Sequence, residues 1–170
     1  MDMYHFWDTI PANCITVSGL DFVTGRIIED ELAMRDMKPC AMATSWPNFL
    51  RVKTGGAAAF AFFIFTKEQN PDLYAYIQMI EDIRFFLDYV NDLLSFYKEA
   101  LAGETTNYIY TRARITQKSE MDTLREVSNE VLAAYSRTTE ALEITGASMP
   151  WKLFANGILQ VPPLSDISLC

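Results

Sequence analysis

Asn91, Ser95 and Glu99 place an amide oxygen, a hydroxyl and a carboxylate four residues apart in the stretch Asn91-Asp-Leu-Leu-Ser-Phe-Tyr-Lys-Glu99. Each residue of an α-helix advances about 100°, so the three fall within about 80° of one another, on one face. Arg84, Asp88 and Lys98 share that polar stripe. The three candidate ligands all offer hard oxygen atoms, which suit Mg2+ rather than zinc or copper. A set with one carboxylate leaves the ion cationic, free to complete its octahedron with water and phosphate oxygens. The same spacing is also what an ordinary solvated helix face shows, and both readings stand at this point. The mixture of acid, amide, hydroxyl and lysine favours chemistry, because a simple solvated face more often carries Glu–Lys pairs.

The stripe needs a helix beneath it. Asn70-Pro71-Asp72 supplies a cap, a first-turn proline and a first-turn acid. Leu73, Ile77, Ile80, Leu87, Val90 and Leu94 form an apolar stripe, and Gly103 is a stop. This predicts a helix of about thirty residues, about 45 Å long. An earlier helix is predicted over about Thr16 to Met34, with Val17, Leu20, Val23, Ile27, Ile28 and Leu32 at helical spacing. Its acidic end, Glu29-Asp30-Glu31, reads as a solvated helix terminus. Met37 to Ala43 reads as a loop broken by Pro39. Ser45 and Pro47 open a further helix, which Gly55-Gly56 either kinks or opens to a close backbone approach. Ala57 to Phe65 is apolar all round and reads as a buried helix. Ser119 and Asp122 have capping-box spacing for a helix running to Gly146, and a last short helix covers about Ser148 to Leu159 before Val161-Pro162-Pro163. The architecture is an all-α helical bundle.

Composition narrows the classes. A chain of 170 residues is one domain's worth, and half of its residues are hydrophobic, which excludes a disordered or low-complexity segment. A formal charge of −8 repels phosphate backbones, so nucleic acid is not an expected partner. An anionic substrate therefore needs a metal ion or a few well-placed cations. Three cysteines without C-x-x-C spacing and a single histidine, His5, argue against a disulfide framework, a zinc ribbon and a histidine metal site. Gly55 to Phe65, the longest apolar run, falls short of the ~20 residues needed to span a bilayer, and the opening residues lack a secretory signal pattern. The expectation is a soluble, cytoplasmic protein. No residue stands out as a catalytic acid, base or nucleophile.

The nine residues Asn91 to Glu99 resemble the second metal-binding motif of class I terpene cyclases. The match is best to the trichodiene synthase family of fungi, whose pattern is N-D-x-x-S-x-x-K-E with Phe-Tyr inside it. Trp46-Pro-Asn-Phe-Leu-Arg51 and the turn Lys67-Glu68-Gln69 are similar to that family as well. The resemblance, closest between Phe6 and Thr105, implies a partial class I terpenoid synthase fold. Residues 1–170 would be a single truncated domain corresponding to the C-terminal half of the family fold. It implies that Asn91, Ser95 and Glu99 chelate Mg2+, that Lys98 contacts a diphosphate, and that Arg51 senses it. The implied reaction is ionisation and cyclisation of farnesyl diphosphate or a similar prenyl diphosphate. Phe60, Phe62, Phe63, Phe65 and Phe86 are candidates to face the resulting cation, with core packing as the alternative.

Parts of the family pattern are missing. The chain contains no Asp-Asp pair to supply the aspartate-rich motif that faces the second site, and no late Arg-Tyr pair, its last arginine being Arg137. Apolar surface made to face the absent helices would then be exposed and could drive homo-oligomer formation. The competing reading is a non-catalytic helical protein from a truncated gene, binding a partner, a prenyl group or a lipid.

Overall fold

The computed structural model describes residues 3–31, 36–105 and 107–160. The described residues form α1 (Met3–Phe6), α2 (Thr9–Asp30), α3 (Trp46–Gly55), α4 (Ala57–Phe63), α5 (Ile80–Leu101), α6 (Tyr108–Thr116), α7 (Glu120–Thr145) and α8 (Ser148–Gln160). Two 3-10 turns, Leu73–Ala75 and Ile77–Met79, lead into α5, and no strand occurs among the described residues. The fold is all-α, as the sequence predicts.

Helix α5 is the axis of the bundle. It packs on α7 along one side and on α4 along another, while α2 covers α3 and α4, and α8 closes on α7. Its first turn carries Glu81 and Asp82 and its last turn Lys98, each complementing the helix dipole. Ile83, Phe86, Tyr89 and Val90 are buried against Ile109, Val127, Leu142 and Trp151. Phe86 meets Trp151 edge-on at 5.1 Å, and the indole N–H of Trp151 donates to Thr139 Oγ1 at 3.0 Å. Arg137 on α7 pairs with Asp82 on α5 at 2.6 Å.

Several boundaries differ from expectation for identifiable reasons. Helix α5 is 22 residues long and starts at Ile80. Asp72, read as a first-turn acid behind an Asn70 cap, is itself the cap, and it caps a 3-10 turn, its carboxylate accepting from Tyr74 N at 2.9 Å. Tyr76 then leaves helical geometry, at φ −134°, to bury its ring against Phe65 at 4.3 Å. Helix α2 begins earlier than predicted, with Pro11 in its first turn. Helix α6, which the sequence reading does not name, is capped by Asn107. The start at Ser119 and stop at Gly146 stand as read: Ser119 Oγ accepts from Asp122 N at 3.1 Å, and Gly146 takes φ +82°. Met34 and Val161-Pro162-Pro163 lie outside the described residues.

Two apolar segments face differently from expectation. Val17, Leu20, Val23 and Ile27 of α2 are each more than half exposed. The inward face of α2 is instead built from Ala12, Ile15, Ser18 and Gly25, small enough on the whole for α3 and α4 to approach closely. Helical periodicity reports that a face is apolar and does not say what covers it. In α4, Ala57, Ala61 and Phe62 are buried, but Phe60 is 51% exposed.

Candidate functional site

Helix α5 forms the floor of an open groove of about 620 Å³. Arg51, Thr54 and Gly55 of α3, Phe60 of α4, and Phe154 and Ile158 of α8 wall it, while Asn91, Leu94, Ser95 and Lys98 rise from the floor. The groove lining is of two chemical kinds, with the Asp88 carboxylate among its polar groups. Arg51, Asn91, Ser95 and Lys98 are polar or cationic; Phe60, Leu87, Leu94, Phe154 and Ile158 are apolar. Of the aromatic candidates only Phe60 lines this groove. Phe62, Phe65 and Phe86 are core residues, and Phe63 packs against Trp7 at 5.3 Å.

The structure brings Asn91, Ser95, Lys98 and Arg51 together at the groove, with Glu99 one turn beyond on the same helix. Asn91 and Lys98 are exposed; Ser95 and Glu99 are half-buried. The hydroxyl of Ser95 is buried without a hydrogen-bond partner. Glu99 Oε2 accepts from Asn107 Nδ2 at 2.7 Å. Among the described residues no group of three His, Cys, Asp or Glu side chains is placed to hold a metal. The candidate set is a different one, a carboxylate joined by amide and hydroxyl oxygens, and the unpartnered Ser95 hydroxyl fits it.

Arg51 is held firmly against α5. Its Nε donates to Asp92 Oδ2 at 2.7 Å, and its Nη2 donates to the Asp88 carbonyl at 2.7 Å and, more weakly, to Asn91 Oδ1 at 3.4 Å. Its Nη1 lies 3.7 Å from Asp88 Oδ1. Asp88 Oδ2 accepts from Arg84 Nη1 at 2.5 Å, and Arg84 also clasps Glu81 through two donors at 2.9 and 2.6 Å. Burial pushes the carboxyls of Asp88 and Asp92 up to about 6, against the downward pull of Arg51 on both and of Arg84 on Asp88. The guanidinium of Arg51 is thus the main charge that keeps Asp92 ionised.

The sequence reading leaves out Asp92, although at about 100° round the helix from Asn91 it lies only about 20° beyond Glu99, at the edge of the polar stripe. Gly55 is anticipated as a point of close approach, but what approaches is a side chain. A Cβ built there would sit 1.9 Å from Asp88 Oδ1 and 2.9 Å from Arg51 Nη1. Asp88 is buried and clamped by Arg84, so it cannot move aside. Gly55→Ala is therefore expected to destabilise the chain by about 1–3 kcal/mol or more. Urea unfolding checks this, and an unchanged midpoint would contradict the tight α3–α5 contact.

The acidic end of α2 is not purely solvated. Glu29 pairs with Arg26 at 2.5 Å and lines a second, smaller pocket of about 150 Å³ together with Arg51, Asn91, Asp92 and Asn107. No described helix is long and apolar enough to cross a membrane.

No protein-family model matches the chain. It is similar to individual fungal enzymes. Terpene synthase BipA of Cochliobolus sativus is 39% identical over 158 residues, which is 91% of this chain and 48% of that enzyme. Monoterpene synthase 25 of Postia placenta is 40% identical over 159 residues, 94% of this chain and 47% of that protein. Longiborneol synthase CLM1 of Gibberella zeae is 31% identical over 161 residues, with 93% and 48% covered. The chain spans about half the length of the curated relatives it matches.

Proposed function

We propose that this chain, 31–40% identical to fungal terpene synthases across most of its length, carries the diphosphate-binding face of such an enzyme. Within that group we assign it to the trichodiene synthase type, as the C-terminal half of the domain. The substrate is farnesyl diphosphate or a similar prenyl diphosphate. The observation that carries this reading is the mixed lining of the groove, whose cationic and oxygen-bearing groups suit a diphosphate and whose apolar side chains suit a hydrocarbon chain.

Asn91, Ser95 and Glu99 would hold Mg2+, which supplies Lewis-acid stabilisation of the departing diphosphate. Lys98 adds a positive charge to the groove lining. Arg51, held by Asp92 and the Asp88 carbonyl, contributes its field beside Asn91. When the allylic C–O bond breaks, its electron pair leaves with the diphosphate, and positive charge develops on the hydrocarbon. Leu87, Leu94, Phe154 and Ile158 give that carbon an apolar wall, and the ring of Phe60 offers a π-face to it. This chain has no Asp-Asp pair, so turnover is proposed for the protein in which a second acidic helix faces this one.

Calorimetric titration with farnesyl diphosphate tests the reading. The expected result is saturable binding in Mg2+ that disappears with EDTA. Binding that persists in EDTA supports the prenyl- or lipid-binding alternative. The outward apolar stripe of α2 adds a second element, self-association of the isolated chain through Val17, Leu20, Val23 and Ile27. Sedimentation should show concentration-dependent association that Leu20→Glu weakens; a monomer at all concentrations argues against it.

A further inference from the structure

Glu99 lies in the last turn of α5, where a carboxylate opposes the helix dipole. Its long side chain also loses rotamer freedom when it is held in one place. The turn after α5 is nevertheless folded around this residue. The Glu99 carbonyl accepts from Glu104 N at 3.0 Å, Gly103 takes φ +75°, and the chain returns so that Asn107 reaches the Glu99 carboxylate.

Both ends of the Asn107 amide are engaged. Its Oδ1 accepts from Tyr110 N at 3.1 Å, capping α6, and its Nδ2 donates to Glu99 Oε2 at 2.7 Å. The cap fixes which end of the amide faces Glu99, since only the oxygen can accept from Tyr110. Asn107 also lines the small pocket beside Asn91 and Asp92.

We propose that Asn107 is a positioning residue for the ion site. Its amide orients the Glu99 carboxylate, engages Oε2 and leaves Oε1 to meet a divalent cation shared with Asn91 and Ser95. The inference rests on the proposed function and deepens it, because outer partners of this kind set the orientation and affinity of a metal ligand. The helix-capping role and the clamping role can be separated. Serine caps as well as asparagine but is too short to reach Glu99, whereas alanine does neither.

The test is titration of the whole chain with Mn2+ in the presence of inorganic pyrophosphate, free Mn2+ being read by electron paramagnetic resonance. Unfolding midpoints are measured in parallel. Asn107→Ser should weaken Mn2+ binding about tenfold or more while leaving the midpoint near that of the unsubstituted chain. Asn107→Ala should weaken it equally and also lower the midpoint. If Asn107→Ser binds Mn2+ within about twofold of the unsubstituted chain while Glu99→Ala loses binding, the positioning role is overturned and the ion site stands. If Glu99→Ala also binds unchanged, or the unsubstituted chain does not bind, the ion site fails and takes this role with it.

Discussion

Arg51→Ala should destabilise the chain by about 3–5 kcal/mol, the cost of removing one partner from a buried charge cluster. The side chain of Arg51 is 15% exposed, and those of its partners Asp88 and Asp92 are 1% and 10% exposed. Asp88 keeps Arg84, but Asp92 loses the charge bonded to it at 2.7 Å. Combining Arg51→Ala with Asp92→Asn should recover part of the loss, because the second change removes the stranded carboxylate. Arg51→Lys should rescue poorly. One ammonium cannot reproduce a planar fork that reaches the Asp92 carboxylate and the Asp88 carbonyl together. Chemical denaturation of the four chains measures all of this. Equal midpoints for the unsubstituted chain and Arg51→Ala would mean that the arginine is a free surface cation, available to ligands and unimportant to the fold.

This dual use of Arg51 marks where sequence reasoning reached and where it stopped. The polar stripe on α5 was legible because i, i+4 spacing survives translation into structure with few assumptions, and Ser119, Gly103 and Gly146 were legible for the same local reason. The start of α5 was not. Asn70-Pro71-Asp72 marks a start, but Asp72 rather than Asn70 caps it, and burial of Tyr76 against Phe65 then interrupts the helix, a contact that depends on tertiary packing. The α2 stripe was legible as a stripe and illegible as a direction, since a covered apolar face and an uncovered one have the same periodicity. Asp92, Gly55 and Asn107 matter through what approaches them from other helices, and no spacing within one helix announces that.

The second large effect concerns the ion. Asn91→Ala and Glu99→Ala each remove a proposed ligand, where loss of an outer partner alone typically costs about 10–100-fold in metal affinity. Each should therefore weaken Mg2+-dependent binding of pyrophosphate by about 100-fold or more, without a comparable loss of stability. Asn91 is exposed, and its only contact with Arg51 is the long one at 3.4 Å. Glu99 is half-buried at the end of its helix. Ser95→Ala should weaken binding less than Glu99→Ala, because a neutral hydroxyl contributes less than a carboxylate to holding a hard cation.

The most direct measurement is a calorimetric titration of the unsubstituted chain with inorganic pyrophosphate, in Mg2+ and in EDTA, beside Asn91→Ala, Glu99→Ala and the remote exposed control Glu143→Ala. The expected result is saturable binding in Mg2+ for the unsubstituted chain and Glu143→Ala, and none for the unsubstituted chain in EDTA or for either ligand variant at the same concentrations. Equal heats from all four chains, or binding indifferent to EDTA, would show that the oxygen stripe on α5 is a solvated helix face and holds no ion.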